Sequence, residues 1–105
     1  MMCIWTDEMC VLAMVMQLLF WFIPAGERVT MPAFTIIDRF PAVESGWQCG
    51  GYSTDDDRII LATDWPCLAH LQRTVLHEWG HRVCWQTWGD MSEECAEAYA
   101  RGRGG

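Results

Sequence analysis

The sequence predicts a single small α+β domain, and three observations carry that expectation. An apolar run at residues 9–23 (MCVLAMVMQLLFWFI) lies between an acidic start and a Pro24–Gly26 stop, which is how a helix is bounded. Two short runs rich in β-branched and aromatic residues, within 27–38 (ERVTMPAFTIID) and at 58–62 (RIILA), read as strands. Apolar residues then recur at Leu68, Leu71, Val75, Leu76, Trp79 and Val83, a helical spacing sustained over about five turns. The 105 residues allow one domain, 1–105, and an apolar share of 51% against 20% charged makes it globular rather than disordered.

The first helix is expected over residues 7–22. Thr6 serves as its N-cap, and Asp7 and Glu8 sit against the positive end of the helix dipole. Its acidic entry, with no basic residue before it, is unlike a signal peptide. The run is shorter than the roughly 20 apolar residues that cross a bilayer. A core helix or a partner-facing helix is therefore expected, and no membrane span. Pro32 interrupts the first strand run and marks an edge or a bulge. Residues 41–51 (PAVESGWQCGG) read as a loop, Gly51-Tyr52 opens a second extended run, and Ser53 to Asp57 is a polar turn. Asp64 and Pro66 start the long helix, Gly89-Asp90 ends it, and Ser92 caps a last helix through Ala100. The tail, Gly102 to Gly105, is expected to fray.

Fourteen acidic residues against seven basic ones leave a net charge of −7, which argues against nucleic acid or an anionic membrane as the main partner. The six cysteines form no CxxC pair, and several fall on apolar helix faces where a thiol acts as a small hydrophobe. They read as reduced structural residues, and with no evident signal peptide a cytoplasmic location is expected.

The chemistry lies in the long helix, at His77-Glu78-Trp79-Gly80-His81, an HExxH motif. Residues four apart on a helix share one face, so both imidazoles can reach one zinc ion at about 2.0–2.1 Å. Glu78 lies beside such an ion rather than on it, placed to take a proton from activated water. A third ligand is expected from Glu93-Glu94-Cys95-Ala96-Glu97. Glu93 and Glu97 are one turn apart, so one can bind metal while the other hydrogen-bonds a ligand histidine. As a solvated first turn these glutamates would need no metal; their place downstream of HExxH favours the ligand reading.

With these two motifs the chain resembles gluzincin-type zinc metallopeptidases. Glu93-x-x-Ala96-Glu97-Ala98-Tyr99 is similar to the glutamate helix of ImmA/IrrE-type and anthrax lethal-factor-like proteases. The resemblance covers roughly residues 50–100. It implies a minimal zincin-like domain with one Zn2+ per chain, Glu93 as third ligand and Glu97 as its outer support. It also implies that the extended run from Gly51-Tyr52 to Leu61 lines the cleft and pairs with an extended substrate. Tyr52, Ile59, Ile60 and Tyr99 are the candidate cleft residues. Only 11 residues separate His81 from Glu93. A tight hairpin turning at Gly89 would bring Glu97 level with His81, whereas unwinding near Trp85 would bring Glu93 there.

The remaining candidates have plainer readings. His70 is about 10 Å along the helix from His77, too far to share its metal. Asp55-Asp56-Asp57 lacks calcium-loop spacing and reads as a solvated turn. Trp79, Trp85 and Trp88 read as core, the last two as a possible pocket rim, and Cys84 or Cys95 as replacement ligands only in a minority reading. The expected function is zinc-dependent hydrolysis of a peptide or protein substrate. The alternatives are a non-catalytic, zinc-stabilised interaction module, or a membrane-tethered or partner-bound protein using the apolar N-terminal helix.

Overall fold

The computed structural model describes residues 8–41 and 48–104, so Thr6, Asp7 and most of the 41–51 loop lie outside the described residues. Helix α1 spans Glu8–Phe22 and buries Val11, Val15 and Leu19, one residue per turn on a single face. Ile23 continues this stripe into the core, while Met9, Phe20 and Trp21 remain exposed. No helix among the described residues is long and apolar enough to cross a membrane.

Pro24 leads into a short 3-10 turn, Ala25–Arg28. Strand β1 is only Ala33–Ile37. The run 27–38 therefore contains a turn and a strand; of the two expectations for Pro32 the edge holds and the bulge does not, since it stands just before β1, an edge strand of the sheet. Lacking an N–H, Pro32 cannot join a ladder; the pairing starts one residue later, where Ala33 N donates to Asp57 O at 2.9 Å.

Strands β2 (Gly50–Ser53) and β3 (Arg58–Ala62) complete a sheet of order β1-β3-β2. β1 runs parallel to β3 and β2 antiparallel to it. β2 takes in Gly51-Tyr52 as expected and starts one residue earlier, at Gly50, expected in the loop; the pairing of Gly50 with Leu61 and Gly51 with Ile60 overrides their poor strand propensity. Alternation puts Ile59 and Leu61 of β3 in the core, joined by Phe34, Ile36 and Tyr52. Gly50, opposite Leu61, takes the same helix-facing side.

A second 3-10 turn, Cys67–His70, leads into helix α2, Leu71–Trp88. Asp64 contributes its backbone carbonyl to Leu68 N at 3.0 Å. Val75, Leu76 and Trp79 enter the core. Gly89 ends α2 in the left-handed conformation at φ 65°; its N–H returns to Trp85 O at 2.8 Å and that of Asp90 to Cys84 O at 3.2 Å. Helix α3, Glu93–Gly102, starts where Ser92 Oγ accepts from Cys95 N. It lies tightly on α2: a Cβ on Gly80 would come within 2.8 Å of Ala96 O. The tail is docked through residue 104 rather than frayed, with Arg103 paired to Glu27 at 2.7 Å and Gly104 O accepting from Gln72 Nε2 at 3.2 Å.

The cysteines differ from expectation. Cys49 is bridged to Cys67, and Cys84 to Cys95. The α2–α3 hairpin brings the Cα atoms of Cys84 and Cys95 to 6.3 Å, and the entry of β2 brings Cys49 to 5.3 Å from Cys67. Both separations are within disulfide reach. An apolar environment suits a disulfide as well as a thiol, so composition alone did not separate the two states.

Candidate metal centre

One face of α2 and the first turn of α3 form the site. His77 and His81 lie one turn apart, rings edge to face with centroids 4.7 Å apart. Their Nε2 atoms both address the Glu93 carboxylate: His77 Nε2 is 2.7 Å from Oε2, and His81 Nε2 is 3.2 Å from Oε1. One ligand atom from each of the three residues lies within 4.8 Å of the other two. On the other side of the His77 ring, Nδ1 is 2.6 Å from Glu97 Oε1.

This register differs from both hairpin expectations. α2 continues past Trp85 to Trp88, yet Glu93 still reaches both rings. The short turn at Gly89 starts α3 at Glu93 itself, beside His81, and Glu97 one turn later falls beside His77.

The donor set, two imidazoles and one carboxylate, suits zinc. Burial pushes the His81 pKa down, which favours the neutral ring that a metal needs. Its buried Nδ1 has no hydrogen-bond partner among the described residues. The Glu93 side chain is 76% exposed, so the site opens to solvent on that side.

Glu78 is almost fully buried, at 6% exposure. Burial pushes its carboxyl up to about 7, the Glu93 charge adding to the rise and His77 opposing it. Its stripe on α2, Thr74–Glu78–Arg82, faces the β2–β3 hairpin. At Gly50 the β2 backbone presses directly on Thr74 and Glu78.

Arg82, overlooked as a functional residue, anchors that arrangement. It is 2% exposed, with Nε 2.9 Å and Nη2 3.1 Å from the two carboxylate oxygens of Asp57. Nη2 also donates to Thr30 Oγ1 at 3.0 Å, and the guanidinium lies over the Trp79 ring. Asp57 is thus a structural anchor, unlike its exposed neighbours Asp55 and Asp56, and the Arg82 hydrogen bonds hold its pKa down. The available signal was positional: an arginine one turn after Glu78, on a buried face.

The four cleft candidates are not brought to the site. Ile59 is fully buried in the core, and Ile60 occupies the opposite face of the central strand. Tyr52 donates to Asp57 Oδ1 at 2.7 Å; burial, then that carboxylate, raises its pKa. Tyr99 donates to Glu27 Oε1 at 2.8 Å beneath Arg103. The residue that borders Glu78 from the sheet is Gly50. His70 is exposed, Trp79 is core, and Trp85 and Trp88 are exposed one and two turns beyond His81.

Compared with protein-family models, curated proteins and solved structures, the chain matches none. The reading of the site rests on its own geometry.

Proposed function

We propose that the chain is a minimal zincin-like metallopeptidase, with His77, His81 and Glu93 holding zinc and Glu78 acting as general base. The observation that carries the reading is the convergence of two Nε2 atoms and the Glu93 carboxylate within 4.8 Å. When bound there, zinc supplies an electrophile that acidifies water and polarises a scissile carbonyl. The chain's residues supply the rest. Glu97 holds His77 Nδ1, so that Nε2, which here meets Glu93 Oε2, is the atom that would offer its lone pair to the metal. Glu78, raised toward neutrality by burial, takes the proton of the attacking water and returns it to the leaving amine. The exposed flank of Glu93 gives solvent and substrate access to the centre, as a hydrolytic site requires. β2 is an edge strand beside Glu78, and an extended peptide can add to such an edge.

The Cys49–Cys67 and Cys84–Cys95 disulfides favour an oxidising compartment over the cytoplasm expected from sequence. A second reading, a partner-bound protein, is favoured by the exposed Met9, Phe20 and Trp21 on α1. Light scattering of the isolated chain separates a self-associating form from a monomer.

The functional test is hydrolysis of a mixed peptide library by the zinc-loaded chain and its Glu78→Gln variant. Cleavage by the native chain and a loss of about 10²–10⁴-fold in the variant are expected. Equal rates in the two would remove Glu78 from its role, and no cleavage of any peptide by the native chain would count against the peptidase reading.

A further inference from the structure

We propose that Gly50 is a positioning residue that seats the Glu78 side chain; this rests on the reading of Glu78 as the base. β2 crosses α2 so closely that a Cβ on Gly50 would lie 2.6 Å from Thr74 Cγ2, 2.9 Å from Glu78 Cγ and 3.1 Å from Glu78 Oε2. Any side chain there must push on both Thr74 and Glu78, whose nearest carbons fall under 3.0 Å. Thr74 yields least, because it is β-branched on a helix and its Oγ1 donates to His70 O at 3.0 Å. Glu78 is unbranched at Cβ and is the group that an added methyl displaces furthest.

The glycine backbone is itself held in place. Gly50 pairs with Leu61 on the central strand, and Ala62 N donates to Cys49 O at 2.9 Å. Cys49 is bridged to Cys67, in the turn that leads into α2. Gln48 Nε2 donates to Gly50 O at 3.1 Å. Ladder and bridge together fix a bare backbone wall against one side of Glu78. The groups that would hold metal lie on α2 and α3, and the three atoms nearest a Cβ on Gly50 belong to Thr74 and Glu78 instead. Gly50 therefore controls where the base sits without controlling whether metal binds. Proton transfer is steep in distance, so a displacement of about 1 Å costs up to roughly a hundredfold.

The test compares the zinc-loaded native chain with Gly50→Ala, Glu78→Gln and Gly50→Ala/Thr74→Ser. Three quantities are read: zinc affinity by competition with a chromophoric chelator, binding of a peptide hydroxamate, and kcat and KM. A hydroxamate chelates the metal and shares a proton with a carboxylate beside it, so it reports on the base independently of turnover. Gly50→Ala is expected to keep native zinc affinity, bind the hydroxamate about tenfold to a hundredfold more weakly, and lose kcat with little change in KM. Thr74→Ser removes Cγ2 and makes room for the methyl, so the double variant recovers part of the loss.

Native hydroxamate binding and kcat in Gly50→Ala, with both impaired in Glu78→Gln, overturn the role of Gly50 alone. Equal hydroxamate binding by the native chain and Glu78→Gln, without peptide hydrolysis, overturns the reading of Glu78 and this inference with it. Loss of zinc from Gly50→Ala, unrelieved in the double variant, also overturns it, because the glycine then serves the fold rather than the base.

Discussion

His77 and Glu97 meet at 2.6 Å, through Nδ1 and Oε1, on the side of the ring facing away from Glu93. In the proposed centre that contact gives the two glutamates different tasks. Glu93→Gln is expected to lose most zinc affinity. Glu97→Gln is expected to cost roughly 10–100-fold, the usual effect of removing an outer hydrogen bond to a ligand histidine. Chelator competition on both variants checks the order. Outright loss of metal in Glu97→Gln, with Glu93→Gln retaining it, would reverse the assignment.

Gly80 lets α3 approach α2. A Cβ there would meet Ala96 O at 2.8 Å, Ala96 Cα at 3.1 Å and Tyr99 Cβ at 3.2 Å, and two of these are backbone atoms that cannot rotate away. Gly80→Ala is expected to destabilise the fold by about 1–3 kcal/mol, as overpacking does. It should also weaken zinc binding by moving Glu93 away from His81. Urea unfolding and zinc titration of the variant measure the two effects.

The Cys84–Cys95 bridge ties the same two helices, at a sequence separation of 11. Cys84→Ala/Cys95→Ala is expected to lose about 3 kcal/mol by the loop-entropy estimate. Zinc affinity should fall with it, because Glu93 is two residues from Cys95. Unchanged affinity would mean that helix packing alone positions Glu93.

Asp57 sets an acid limit on stability. The Arg82 hydrogen bonds lower its pKa, Tyr52 adds a second favourable bond, and Asp56 opposes. A lowered folded pKa means stability that is full above the unfolded value, about 3.9, and lost as pH falls through the folded one. Asp57→Asn should remove that acid dependence and leave a buried guanidinium without its counter-charge. The expected cost near neutral pH is roughly 2–3 kcal/mol, less than for a fully buried pair because the Asp57 side chain is 38% exposed. Thermal melts from pH 2 to pH 7 for both proteins check the sign.

Helical periodicity and HExxH made α2, and the pair of histidines on one face of it, readable in the chain. The same holds for α1, whose Val11, Val15 and Leu19 share one stripe. β2 was harder to read, because Gly50 and Gly51 carry no strand propensity and owe their conformation to pairing with β3. The buried Arg82–Asp57 pair joins residues 25 apart in sequence, a relation no local pattern reveals. The cleft candidates failed for a related reason: alternation along β3 sends Ile59 into the core, and Tyr52 and Tyr99 are engaged by carboxylates from distant turns.

The most direct test of the proposed metal centre is the zinc-edge X-ray absorption spectrum of the chain loaded with one equivalent of zinc. Nitrogen and oxygen neighbours at about 2.0–2.1 Å, including two imidazoles and no sulfur, are expected. A sulfur neighbour near 2.3 Å, or a spectrum indistinguishable from that of His81→Ala, would contradict a centre built from His77, His81 and Glu93.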